Sequence, residues 1–199
     1  MKILISTLWD GTRVPFVIRQ ENPDEIYFIM DKHPERKQAY KNIEMGFPKK
    51  NLHEIPIANY DIYETTEKIH NVIKDELAKG NKLSVCVSEA MKQMSFALTY
   101  AAYLHADQID GIYNVMHETG EIIRLPLLNI DLKNGRKEVL QIINTLFLKG
   151  EPINGIDIAN KSKLKKSAVY SNLKELIRVG FVEERSNRLT VFGKICLLR

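Results

Sequence analysis

The chain has 199 residues, 44% hydrophobic and 27% charged, with a net charge of +4. That balance suits one or two small globular domains with their own cores and excludes an intrinsically disordered chain. No stretch approaches about 18 uncharged apolar residues, so no transmembrane helix and no membrane partner are expected. Met1-Lys2-Ile3-Leu4-Ile5-Ser6 turns polar too soon for a secretory signal and reads as a first strand. Cys86 and Cys196, the two cysteines, lack ligand spacing and predict buried, reduced thiols in a cytoplasmic protein. Charge is unevenly divided. Residues 1–134 carry 16 Lys and Arg against 19 Asp and Glu, net −3, whereas 135–199 carry 13 against 6, net +7. An acidic two-thirds joined to a basic third predicts two domains and a polyanion partner at the basic end.

In chain order, Ile3–Ser6 and Ile26–Met30 read as buried strands. A helix is predicted over about 13–21, with Pro15 tolerated in its first turn. Pro34 opens a second helix ending near Gly46, and Leu52–Ile57 reads as a third strand. Ile62, Thr66, Ile69, Ile73 and Leu77 keep helical spacing until Gly80 stops them. Leu83–Val87 is a fourth strand and Met91–His105 a helix; Ile112–Met116 and Glu121–Leu125 flank a hairpin turn at His117-Glu118-Thr119-Gly120. The expected fold class is therefore α/β, with a Rossmann-like parallel sheet over residues 1–128 covered on both faces. Ligands of such sheets bind beyond the carboxyl ends of the strands, which singles out the residues after Ile5 and after Val87.

Residues 129–135 are expected to link this domain to a second one over 136–199. There Val139, Ile143, Leu146 and Phe147 mark one helix, Ile156, Ile158 and Ala159 a short second, and Val169, Leu173, Leu176 and Ile177 a third. Phe181–Arg185 and Arg188–Phe192 flank Ser186-Asn187 as a two-stranded ribbon. Three helices and a hairpin give the layout of a winged helix-turn-helix. On the third helix Ser167, Tyr170, Ser171 and Lys174 form one stripe opposite the apolar face. Lys165 and Lys166 lie at its amino end and Lys161 and Lys163 in the preceding turn. Hydroxyls, a tyrosine and lysines on one face suit phosphates and major-groove base edges. Arg185, Asn187 and Arg188 lie at the hairpin tip, where a wing meets DNA. A solvated lysine-rich face is the plainer alternative. The segment from Ser162 to Gly180 with its hairpin resembles the winged-helix transcription regulators, which implies duplex DNA as a partner.

The first domain lacks G-x-G-x-x-G and G-x-x-x-x-G-K-[ST], which argues against a dinucleotide dehydrogenase or a P-loop NTPase. Its histidines, His33, His53, His70, His105 and His117, are scattered. No catalytic residue, metal site or cofactor is assigned. Two loops carry the candidate ligand chemistry: Thr7, Trp9, Asp10, Gly11, Thr12 and Arg13 after the first strand, and Ser88, Glu89, Ala90, Met91, Lys92 and Gln93 after the fourth. Each offers hydroxyls, helix-start N–H groups and one cation, the ingredients of an anion pocket. Trp9 has the chemistry to stack on a base or to fill a core; Ser88 and Thr12 could equally be N-caps.

The run from Leu83 to Leu98, with Ser88, Lys92 and Met94, resembles the CRISPR-associated Rossmann fold (CARF) winged-helix regulators of archaea. Glu89-Ala90 stands where that family has a pair of small residues. The resemblance implies a homodimer that binds a cyclic oligoadenylate, such as cyclic tetra-adenylate, across its two-fold axis and regulates transcription in antiviral defence. It leaves two alternatives. One is a ring nuclease using Ser88, Thr12 and Lys92; the other is a constitutive dimeric DNA-binding protein without a ligand.

Overall fold

The computed structural model describes residues 1–58, 61–128, 132 and 135–198. Of the expected linker, only Leu132 and Gly135 are among them; the remainder lies outside the described residues. The chain divides into two compact units, Met1–Asn129 and Ile130–Arg199.

The first unit runs β1 (Lys2–Thr7), α1 (Val14–Glu21), β2 (Glu25–Met30), α2 (Pro34–Gly46), β3 (Asn51–Pro56), α3 (Ile62–Ala78), β4 (Lys82–Cys86), α4 (Lys92–Leu104), β5 (Gly111–Val115) and β6 (Ile122–Leu125). The six strands form one sheet in the order β3-β2-β1-β4-β5-β6. All neighbours pair in parallel except β6, which returns antiparallel to β5. Strand alternation explains why both faces need cover. Ile3 and Ile5 of β1 and Leu83 and Val85 of β4 pack with Ile69 and Ile73 of α3 and Met94, Ala97 and Leu98 of α4. Leu4, Ile26, Phe28 and Cys86 point the other way, onto Val14, Val17 and Ile18 of α1 and Ala39 and Ile43 of α2. The result is a three-layer α/β/α unit.

Pro15 falls in the first turn of α1, where its missing N–H costs nothing. Asp61 caps α3 by accepting the Glu64 N–H. His70 and His105 form a buried stacked pair, Nε2 of His105 lying 3.0 Å from Nδ1 of His70. Both cysteines are buried and unpaired. No helix among the described residues is long and apolar enough to cross a membrane.

The second unit holds α5 (Arg136–Leu148), α6 (Gly155–Lys161), α7 (Lys166–Arg178) and α8 (Val191–Cys196). Val139, Leu140, Ile143 and Leu146 of α5, Ile158 of α6 and Val169, Leu173 and Leu176 of α7 share one core. The expected two-stranded ribbon is corrected here: it shrinks to a single antiparallel bridge between Val182 and Leu189. Its second arm stops at Thr190, whose hydroxyl accepts the Gly193 N–H and so starts α8 where a strand to Phe192 was expected.

Candidate functional site

Between β1 and β4 the direction of strand addition reverses. β2 and β3 extend the sheet to one side of β1, β4 to β6 to the other. Crossovers on opposite faces leave a crevice at the carboxyl ends of these two central strands. The register Ile5↔Val85 and Ser6↔Cys86 brings the strands to that crevice level with each other. Both loops singled out by the sequence emerge there.

The Gly11, Thr12, Arg13 and Val14 N–H groups at the start of α1 are all taken, which corrects the expectation of free helix-start donors there. The fully buried Glu89 carboxylate takes the Gly11 N–H at 2.7 Å and the Val14 N–H at 2.9 Å, and also accepts the Arg13 N–H. Glu89 is thus the anion at the start of α1, supplied by the neighbouring loop. Burial pushes its carboxyl above the usual range, against the pull of these three donors. Its position directly after β4 was legible; the length of its reach was not.

Neither expected hydroxyl caps a helix. Thr12 donates to Asp10 Oδ1 at 2.7 Å and its N–H reaches the same oxygen at 3.0 Å. Partial burial pushes the Asp10 carboxyl up, but the Thr12 bonds and Arg13 outweigh it and hold it below the usual range. Ser88 Oγ accepts the Val115 N–H at 2.7 Å and touches Cys86 Sγ at 3.2 Å, so it ties β4 to β5. The N-cap of α4 is Met91, which makes no side-chain cap bond, and Lys92 and Gln93 are exposed in its first turn. Ala90 and Met91 pack against the α3–α4 side of the core. Thr7 is buried at the end of β1 with its hydroxyl unpartnered, and the Nε of Arg13 is likewise buried without a partner.

One contributor escaped the sequence reading. Arg36, in the first turn of α2, is 4% exposed and its guanidinium lies 3.1 Å from the centroid of the Trp9 ring. It sits in the charged run Pro34-Glu35-Arg36-Lys37, which by pattern reads as solvated surface.

In the second unit Lys163, Lys165, Lys166, Ser167, Tyr170, Ser171 and Lys174 are all exposed, giving α7 one continuous polar and basic stripe. Lys165 is the N-cap and makes no side-chain cap bond. The turn before it is clamped by Glu138 of α5, which accepts the Ser162 hydroxyl at 2.8 Å and the Lys163 N–H at 2.7 Å. Those bonds, the backbone one first, hold the Glu138 carboxyl below its usual range. Lys161 is turned to Glu151 at 2.9 Å. At the tip Arg185 is exposed, Asn187 donates to the Ile153 carbonyl, and Arg188 lies over Phe147 at 5.4 Å.

Three solved structures are similar in fold. Enterococcus italicus Csm6 bound to cyclic hexa-2'-fluoro-hexa-dAMP matches at TM-score 0.55 and 14% identity, over 89% of this chain and 53% of that one. A type III CRISPR defence DNA nuclease activated by cyclic oligoadenylate matches at 0.52 and 11%, over 88% and 30%. Protein VC1899 from Vibrio cholerae matches at 0.54 and 9%, over 98% and 64%. The chain spans less than two thirds of each of these proteins. No curated protein matches it. A family model covers residues 8–120, more than half the chain and both crevice loops. By that match the chain belongs to the HFX_2341_N:-like, N-terminal family.

Proposed function

We propose that the chain is a CARF-type regulator that senses a cyclic oligoadenylate with its first unit and binds duplex DNA with its second. The observation that carries the reading is the crevice between β1 and β4. It brings Arg13, Lys92, the uncapped start of α4 and the unpartnered Thr7 hydroxyl to one rim of the sheet. The fold likeness to a Csm6 bound to a cyclic hexanucleotide and to a nuclease activated by cyclic oligoadenylate supports this ligand class.

Lys92 and Phe96 are one helical turn apart on α4, and the 51% exposed Phe96 stacks on Tyr100 with centroids 6.3 Å apart. That apolar patch beside the cation supports a homodimer in which two copies of each loop surround one symmetric ring. The exposed α7 stripe supports DNA binding, with Lys163, Lys165, Lys166 and Lys174 on phosphates and Ser167, Tyr170 and Ser171 towards bases. Arg185 and Arg188 are the exposed tip cations; Lys161, exposed and paired to Glu151, and Asn187, held on the Ile153 carbonyl, flank them. A ring that favours one arrangement of the dimer would change how two copies of α7 span half-sites. The test is a mobility shift of duplex DNA with and without cyclic tetra-adenylate. A ring-dependent change in affinity is expected; no binding of DNA at low salt overturns the regulator.

Ring cleavage at the same crevice is a second reading, favoured by the exposed Asp10–Thr12 pair beside Arg13. In this reading Asp10 takes the 2′-hydroxyl proton as that oxygen attacks the adjacent phosphorus and the 5′-oxygen leaves with a proton, giving a linear product with a 2′,3′-cyclic phosphate. Linear adenylate products after incubation with cyclic tetra-adenylate would establish it; an intact ring would refute it.

A further inference from the structure

The Arg36–Trp9 stack is the feature of the crevice that its hydrogen bonding does not explain. An arginine side chain that is only 5% exposed needs compensation, and the ion pair available to it is thin: Glu35 Oε2, 3.0 Å from Nη1, belongs to a side chain that is 72% exposed. The other compensation is the indole face. Arginine is the cation suited to this, because a planar, weakly hydrated guanidinium stacks flat where an ammonium does not. The second turn of α2 is held close to the loop. A Cβ on Gly11, which adopts a positive φ of 74°, would lie 3.2 Å from Ala39 Cβ. Trp9 is only partly buried, so its ring is fixed from one side while the residue keeps solvent access.

We infer that Arg36 is a positioning residue that holds Trp9 as a stacking platform for a purine base. This rests on the proposed ligand site and specifies its chemistry. The platform recognises the base, while the cations Arg13 and Lys92 of the two loops address phosphate. With Glu89 occupying the backbone donors of α1, phosphate recognition falls to side chains and to the start of α4, and base stacking supplies the discrimination between a nucleotide and a bare phosphate.

Trp9 is the single tryptophan, so its emission reports on the platform alone. The intact chain is titrated with AMP, with ribose 5-phosphate and with cyclic tetra-adenylate, following Trp9 emission and, for the ring, heat. AMP is expected to quench Trp9 and ribose 5-phosphate to leave it unchanged. Arg36→Met is expected to weaken the AMP response about tenfold, with partial recovery in Arg36→Lys and no change in Glu35→Ala, which alters the exposed pair and not the stack. Circular dichroism establishes that each variant is folded; should Arg36→Met unfold, Arg36→Lys against Glu35→Ala makes the same comparison. Equal responses to AMP and ribose 5-phosphate, or unchanged AMP affinity in Arg36→Met, overturn the platform. Heat from the ring without a change in Trp9 emission overturns the platform and spares the ring site. Quenching by AMP without heat from the ring does the reverse.

Discussion

Replacing Glu89 by Ala removes the acceptor of three backbone N–H groups in one step. Val14 is fully buried, so its donor loses its partner with no water to replace it, at about 1–3 kcal/mol. Gly11 and Arg13 are partly exposed and can turn to water, at about 0.5–1 kcal/mol each. The expected loss is about 2–5 kcal/mol for the first unit. Glu89→Gln keeps one oxygen and points its amide at a donor, so about 1–2 kcal/mol is expected. Urea unfolding followed by Trp9 emission is the assay, because Trp9 lies in the same loop and reports the first unit without the second. A further result follows from the vacated donors: millimolar inorganic phosphate should recover part of the lost stability in Glu89→Ala and leave the wild type unaffected. An unchanged urea midpoint in Glu89→Ala would show that the carboxylate does not hold the loop.

Lys165→Glu with Lys166→Glu should weaken DNA binding across all sequences and flatten its salt dependence in mobility-shift titrations; unchanged affinity would remove α7 as the DNA element. Lys92→Ala or Arg13→Ala should lose heat with cyclic tetra-adenylate and keep DNA affinity, whereas equal heat in all three proteins would move the ring elsewhere. Burial, then Lys74, hold His70 below its usual range against the opposite pull of Glu67, while His105 shares its hydrogen bond. A depressed folded pKa gives stability that is present above about pH 6.5 and lost as pH falls below it, so thermal stability should drop there in the wild type and less in His70→Gln. Gly193→Ala would drive a Cβ into the Phe181 carbonyl oxygen under α8, costing about 1–3 kcal/mol in thermal unfolding of the second unit.

Most of the first unit was legible because strand and helix periodicities differ. The apolar runs in β1, β2 and β4 and the spacing in α3 place these elements to within a residue or two. The loops at the crevice were legible for the same reason, as consequences of parallel topology. What the loops do was less so. Glu89 answers donors 75 to 78 positions away, and Arg36 reaches Trp9 from a charged run; both depend on tertiary placement that no local pattern carries. In the second unit the ribbon failed at Arg188–Phe192, where alternation matched a strand but Thr190 supplied a helix cap. Asn187 reads as a DNA-facing tip residue, yet the Ile153 carbonyl of the same unit holds its side chain, while Arg188 stays exposed beside Phe147.

On the proposed reading, two copies of the β1–β4 crevice share one cyclic oligoadenylate. Isothermal titration of the intact chain with cyclic tetra-adenylate measures it directly, since affinity and stoichiometry come from one curve. Heat is expected to saturate at one ring for every two chains, with Lys92→Ala silent under the same conditions. Saturation at one ring per chain would contradict the shared site, and the absence of heat would contradict the ligand.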